Sequence, residues 1–470
     1  MKNNFTILLL TIFSLTVYGQ KQGNNWYFGN HAGLDFNSNP PIPLLNGQTD
    51  FPLPNQWNEG SSSISDSVGS LLFYTNGREI WNKMQQVMPN GNNLLGHSSS
   101  TASSIIVPQP NSHQYFYVFT TDAFENNFQN GLRYSIVDMC LDNNNGDVLS
   151  NAKNILLTGT VAEKLICIKH SNDTDYWIVT HKFNSDAFYS FRLTSLGVID
   201  TVISHTGTTD PQGWGGQMIA SPNGQKIAYA IPNAQSFGKT LLLDFNSTTG
   251  IVSNEQILST GGREFGVSFS PDNSKLYFST IGFGQIFQYD LNAGNLAAII
   301  ASKTFIISNG PDSWRHHQVG PDGKIYISRI NKTYLSMIEF PNNLCPACNY
   351  IDSAIYLGGQ YTSFGLPNFI AGFNYSNTTV KCNTIGIQQL DNLEQAINIY
   401  PNPFTGSFHV KVNSNEKSQI TLYDIFLRKI FWQTFTNSTT INAEQFSNGI
   451  YIYEILRKDG KISKGRLIKQ

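Results

Sequence analysis

Charge is scarce in this chain. Only 13% of its 470 residues are Asp, Glu, Lys or Arg, and the formal net charge is −2. So neutral a balance gives no electrostatic handle on nucleic acid or on an anionic membrane surface. Long apolar runs are also missing: beyond residue 20 there is no stretch of eighteen uninterrupted apolar residues, so no later segment reads as a transmembrane helix. No long amphipathic helical pattern stands out. No GxSxG elbow, phosphate loop, dinucleotide fingerprint or HExxH pair occurs, which leaves the chemistries that depend on them without a motif. Cysteine is sparse and odd in number, at Cys140, Cys167, Cys345, Cys348 and Cys382, so in an exported chain at least one thiol is unpaired or intermolecular. The CPAC at 345–348 has no second CxxC, no His pair at zinc spacing and no βαβ setting. It reads as a local disulfide or two unrelated thiols, and no metal or cofactor is expected.

What the chain has in quantity is Asn, Ser, Thr, Gly and aromatics (Tyr 21, Phe 31, Trp 7). That mixture suits short strands joined by tight turns, with aromatic and β-branched side chains on pleated faces. The fold class is therefore all-β. Residues 1–19 read as a signal peptide, with Lys2 ahead of an apolar stretch from Phe5 to Val17 and a cleavage point before Gln20. No cysteine lies there to carry a lipid anchor, so an exported, soluble chain is expected.

A single phrase recurs along the sequence. "GQMIASPNGQKIAYAIP" begins at Gly216, "FGVSFSPDNSKLYFST" at Phe265 and "HHQVGPDGKIYISRI" at His316; their turn prolines, Pro222, Pro271 and Pro321, are spaced 49 and 50 residues apart. Looser copies begin at Ser61, Ser103 and Leu165. Each is an apolar strand, a polar turn and an aromatic-rich strand. A period of this size with about four short strands per unit predicts a β-propeller. "FGLPNF" (364–369) repeats the inner-strand phrase without its second strand, and the missing half appears as "NWYFGNHAGLDFN" (25–37). The reading is a seven-bladed propeller over residues 24–373, closed by strands from both ends, with six blades as the alternative. A polar linker follows (374–395), and then alternating strands over 396–470 that suit a small β-sandwich.

The last segment carries a resemblance. "IYPNPFTG" (399–406), "ITLYD" (420–424), "FSNGIYIYEI" (446–455) and "KGRLIK" (464–469) resemble the C-terminal, type A sorting domain of substrates of the Bacteroidetes type IX secretion system. The one departure is Leu427, where that family usually has Gly. The resemblance implies export across the outer membrane, the type IX machinery as a partner through residues 396–470, and a secreted or surface location. "NWYFGNHAGLDFN", "SDSVGSLLFYTNG" (65–77), "YSIVDM" (134–139) and "GLPNF" (365–369) are similar to propeller-bearing surface proteins found with such domains; that likeness implies fold and location but no chemistry.

In a propeller the loops entering the innermost strands converge at one end of the central channel. The repeat register places Glu59, His97, Glu163, Trp214, Arg263, Glu264, Trp314, Arg315, His316, His317 and Tyr361 in those loops. Trp214, Arg263, Glu264, Trp314, Arg315, His316 and Tyr361 are the candidate ligand-binding residues. They suit stacking on a glycan or a protein ligand with oriented hydrogen bonds. Two of Glu59, Glu163 and Glu264 could instead act as acid and base in a carbohydrate hydrolase or lyase. A third reading has the Trp and Arg side chains simply closing the channel mouth. His316 and His317 are adjacent on a strand, so at most one of them faces the channel.

Overall fold

The computed structural model describes residues 20–50, 58–207, 209, 213–232, 238–308, 314–375, 378–382, 397–412, 417–424, 428–458 and 462–470. The expected signal peptide, most of the linker and Leu427 lie outside them. The chain divides into two compact units, up to Asn383 and from Thr384 onward.

Among the described residues the first unit is a succession of seven antiparallel sheets, all meanders in chain order except the five-stranded third, whose last two strands both pair with its third strand. Their leading strands are β1 (Asn25–Phe28), β2 (Ser62–Ser65), β3 (Ser104–Pro108), β4 (Ile166–Lys169), β5 (Met218–Ala220), β6 (Glu264–Phe269) and β7 (Trp314–Val319). The first two sheets have three strands, and sheets four to seven have four each. One short helix, α1 (Leu296–Ala301), interrupts the sixth, where the Asn295 side chain accepts from the Ala298 amide at its N-terminus.

The recurring phrase folds the same way in its three clearest copies. In Ser270-Pro271-Asp272-Asn273 the Asn273 amide donates to the Ser270 carbonyl at 2.9 Å; Gly224 to Ser221 (2.8 Å) and Gly323 to Gly320 (2.9 Å) repeat the bond. The fourth position has φ of 66°, 68° and 77° respectively, which is why Asn or Gly stands there. Asp272 serves the turn itself, accepting from the Ser270 hydroxyl (2.6 Å) and the Ser274 amide (3.0 Å).

Each leading strand packs against the next, from β1 to β7. Bonds such as Ser62 Oγ to Ser104 Oγ (3.0 Å) and the Gln217 amide to the Phe265 carbonyl (2.7 Å) join neighbours. The aromatic residues fill the space between sheets. Trp26 of β1 meets Tyr326 of the seventh sheet edge-on at 5.6 Å and Phe369 at 5.8 Å.

Residues 364–369 do not form the predicted strand, and no closed sheet results. The first sheet stays three-stranded, and this stretch makes one isolated bridge, Ser61 with Pro367, with a second just ahead of it between Asn30 and Tyr361. Pro367 has no amide to extend a ladder. Gly365 presses so hard on the Glu59 carbonyl that a Cβ there would overlap it. The stretch still lies among leading strands: His316 N donates to the Phe364 carbonyl (3.2 Å) and Asn368 N to the Ser61 carbonyl (2.8 Å).

Cysteines are placed in pairs where geometry allows. Cys140 bonds to Cys382 and Cys345 to Cys348, while Cys167 is free and buried. The first bond spans 242 residues and ties the end of the unit to its third sheet. Cys382→Ser is expected to lower unfolding free energy by about 2–5 kcal/mol, because the unfolded chain regains the freedom of a very long loop. Guanidinium denaturation measures it, and an unchanged midpoint would show that the tail clasp adds no stability.

The second unit has a three-stranded sheet (Ile397–Tyr400, Ser407–Val412, Ser438–Asn442) and a four-stranded one (Lys417–Tyr423, Lys429–Thr436, Gly449–Arg457, Ile462–Lys469). Phe408, Val410, Ile420, Leu422 and Ile455, all at most 1% exposed, form its core. The buried Lys469 ammonium caps the end of the fold, donating to the carbonyls of Ala443 (2.8 Å), Glu444 (3.1 Å) and Phe446 (2.5 Å).

Candidate functional site

The segments that precede the leading strands meet at one end of the first unit. Glu59 stands before β2, Thr101 before β3, Glu163 and Lys164 before β4, Gly215 and Gly216 before β5, Arg263 before β6, and Arg315 at the start of β7. Their contacts link one sheet to the next. The Thr101 hydroxyl lies 2.8 Å from Glu163 Oε2 and 3.4 Å from Glu59 Oε2. The two carboxylate oxygens are therefore at most about 6 Å apart, too close for the roughly 6.5–9.5 Å spacing of an inverting glycosidase pair.

Glu163 is fully buried and held on both oxygens: Oε2 accepts also from the Thr101 amide (2.9 Å), and Oε1 from the Phe124 amide (3.0 Å). Burial pushes its carboxyl up to about 7, against the lowering effect of those hydrogen bonds. Burial first, then the charges of Glu163 and Glu125, hold Glu59 well above the ordinary carboxylate range, with Arg315 opposing. Lys164, also fully buried, donates to the carbonyls of Gly215 and Gly216 and sits 4.9 Å from the Tyr229 ring centre. Burial pulls its ammonium down to about 7, although Glu163 and Glu59 favour the charge.

Above this cluster stands an aromatic pair. Trp214 stacks on Phe124 with ring centres 5.0 Å apart and planes at 16°, and Phe124 is 47% exposed. Both are tied to Glu163, whose amide donates to the Trp214 carbonyl at 3.1 Å. On β7, the Arg315 guanidinium lies over Phe364 (4.5 Å) and Phe265 (5.4 Å). His316 faces inward and, with Thr101, Glu163, Gln217 and Asn368, lines a cavity of about 20 Å³, room for a single water.

The remaining predicted residues are placed elsewhere. Glu264 is buried against the fifth sheet, accepting from the Ser259 hydroxyl at 2.7 Å beside Gly238 and Gly262, so it does not join Glu59 and Glu163. Trp314 is fully buried among Tyr277, Ile286, Ile325 and Ile338, with its indole N–H donated to the Tyr350 hydroxyl (3.1 Å). The His317 ring packs against Gly266 between β6 and β7. Tyr361 is 46% exposed beside Asn30, and His97 accepts from the Ser99 amide (3.1 Å). Among the described residues no group of three or more His, Cys, Asp or Glu side chains is placed to hold a metal.

Sequence reasoning passed over Thr101, Lys164 and Phe124. The first two sit inside the segments it selected, and the adjacency of Glu163 and Lys164 was the available clue. Phe124 comes from the connection between the second and third strands of the third sheet, folded back by left-handed Asn127 and Phe128. The reading also missed a cavity of about 210 Å³ at the turn end, lined by the repeat prolines Pro222, Pro271 and Pro321 with Phe269 and Phe369.

Comparison with known proteins adds the following. Residues 398–470 match the family described as the secretion system C-terminal sorting domain. The chain is therefore secreted or attached to the cell surface, and no helix among the described residues is long and apolar enough to cross a membrane. No curated protein matches the chain in sequence. Solved structures similar to it include the periplasmic gluconolactonase PpgL of Pseudomonas aeruginosa (12% identity, 76% of this chain and 96% of that one, TM-score 0.37). Others are a putative 6-phosphogluconolactonase of Bacteroides uniformis (12%, 78% and 94%, 0.35) and apo AztD of Citrobacter koseri (12%, 73% and 96%, 0.39).

Proposed function

We propose that residues 24–373 form a seven-bladed propeller, carried out of the cell by the type IX machinery acting on residues 396–470, that recognises an extracellular glycan at the channel end built by Glu59, Thr101, Glu163, Trp214 and Arg315. Seven sheets in chain order support the architecture, as do the Trp26–Tyr326 contact between the first and the last and the bonds of residues 364–369 to both β7 and β2. That stretch takes the place of the first blade's inner strand without completing its ladder.

The observation that carries the recognition reading is the Phe124–Trp214 stack. It presents an aromatic face to solvent while its backbone holds a buried carboxylate, the pairing of apolar platform and fixed polar groups that small-ligand sites use. A hydrolase is the second reading, favoured by the closeness of Glu59 and Glu163. Against it, both Glu163 oxygens are taken up by Thr101 and Phe124, and Glu59 is only 9% exposed.

A glycan array probed with the recombinant chain tests the proposal. Binding is expected, and Trp214→Ala and Phe124→Ala should each weaken it about tenfold or more, the loss of roughly 1.4 kcal/mol of stacking. An array that stays blank, or variants that bind like the parent, would leave the cluster as a plug for the channel; capture of a protein instead would replace the glycan. Release of sugar products would favour the hydrolase.

A further inference from the structure

The Arg315 side chain is nine-tenths buried, yet its Nε and Nη1 have no hydrogen-bond partner, and no ion pair within 4.0 Å reaches it among the described residues. Buried donors of this kind are rare enough to need a reason. The surroundings do not supply an acceptor. Phe265 and Phe364 cover the guanidinium faces, 5.4 and 4.5 Å away, and offer only ring electrons. Glu59 is the nearest carboxylate to influence it, but that side chain is directed at Thr101. The other charge that Arg315 feels is like its own: Arg263, just ahead of β6, whose buried Nε is unpartnered as well. The inward-facing His316 adds a fourth unpartnered nitrogen, Nε2. The unpartnered buried oxygens beside these segments, Asn58 Oδ1 and Glu264 Oε2, do not reach them, and neither arginine is paired with an anion among the described residues.

We infer that the glycan recognised at this end is anionic, its carboxylate or sulfate seated against Arg315 and drawn in by Arg263. The inference rests on the recognition reading above and adds the ligand's charge to it. A guanidinium suits this task because its donors lie in one plane and keep their charge throughout the physiological range. Phe265 and Phe364 hold that plane in place before any ligand arrives, so the arginine loses little freedom on binding. In the free protein the same arrangement is a liability, an uncompensated buried charge.

Isothermal titration of the full chain with three oligosaccharides of equal length provides the test: an oligogalacturonate, a sulfated oligosaccharide and a neutral maltooligosaccharide. An anionic probe should bind at least tenfold more tightly than the neutral one, and raising salt should narrow the gap. The preferred acid, carboxylate or sulfate, identifies which group Arg315 takes. Arg315→Gln should bring the anionic probe down to the neutral level, Arg315→Lys should restore part of the preference, and Arg263→Gln should weaken it less. Without ligand, Arg315→Gln should melt no lower than the parent, since it removes an unpaired charge. Equal affinity for neutral and anionic probes would overturn the inference and leave recognition intact. No binding to any of the three, on a protein whose array is also blank, would end both. A lowered melting temperature with unchanged selectivity would make Arg315 a structural plug.

Discussion

A chain ending at Asn383 is expected to fold and to stay off the cell surface. The described residues up to 382 and those from 397 onward build separate cores, so removing the second leaves the contacts of the first unchanged. What the cut removes is the sorting domain matched over residues 398–470. Surface material, measured by protease accessibility on intact cells, should drop to background, while circular dichroism and thermal unfolding of the truncated protein stay those of the intact first unit. A point variant gives an independent route to the same loss. Lys469→Met removes the shared donor of the Glu444 and Phe446 carbonyls and leaves Ala443's with the Phe446 amide alone, at about 1–3 kcal/mol for each group left unpaired and shielded from water. That is enough to unfold so small a domain, and surface delivery should fall with it. Normal surface levels of the truncated chain would show that delivery does not depend on this domain.

The sequence made the repeat readable because its turns are local chemistry. Ser or Gly, Pro, Asn or Asp, then a residue that tolerates positive φ defines a hairpin within four positions, and three copies 49 and 50 residues apart set the phase for everything else. The register then located Glu59 and Glu163 at one end, where they do meet. Their link through Thr101 was invisible, since Thr101 is 42 residues from one and 62 from the other. Side-chain direction was the harder question. Glu264 and Phe265 are adjacent on β6, where the pairing is irregular; the Glu264 carboxylate goes to Ser259 and the Phe265 ring takes the place against Arg315. On β7 an irregularity in pairing between Trp314 and His317 resets the alternation: Trp314 goes into the core, while Arg315 turns to Phe265 and Phe364 and His316 to the small cavity beside Glu163. Nothing in the residue order announces such an irregularity. Phe124 was hidden for a different reason, because it reaches the site from a connection outside the repeat's inner loops.

The carboxyl of Glu163 should leave a clear mark on stability as pH changes. Its pKa rises on folding from an ordinary 4.5 to about 7, so the folded state holds the proton more tightly than the unfolded chain. That contribution is complete below pH 4.5 and is lost as pH climbs through 7. At about 1.4 kcal/mol for each pH step of one, the window is worth about 3 kcal/mol. Lys164 works on the other side of neutrality. Its pKa falls from 10.5 to about 7, so the stability linked to its neutral form is present above 10.5 and lost as pH falls through 7. Together they give a local minimum of stability near pH 7, with Glu59, Glu125 and Arg315 as the other charges acting on the cluster. Buried His181, His316 and His317, pulled down by burial to about 4, 3 and 3, oppose the acid limb, because they must take up protons on unfolding below pH 6.5. The comparison of Glu163→Gln with the parent removes that background. The substitution brings a constant penalty, since an amide cannot accept on both sides from Thr101 and Phe124. Only the slope is therefore diagnostic: from pH 4.5 to 7 the variant should gain about 3 kcal/mol on the parent in urea titrations, then level off. A difference that stays flat across this range would mean that Glu163 is an ordinary ionised carboxylate, and the cluster would need a different account of how its charges are balanced.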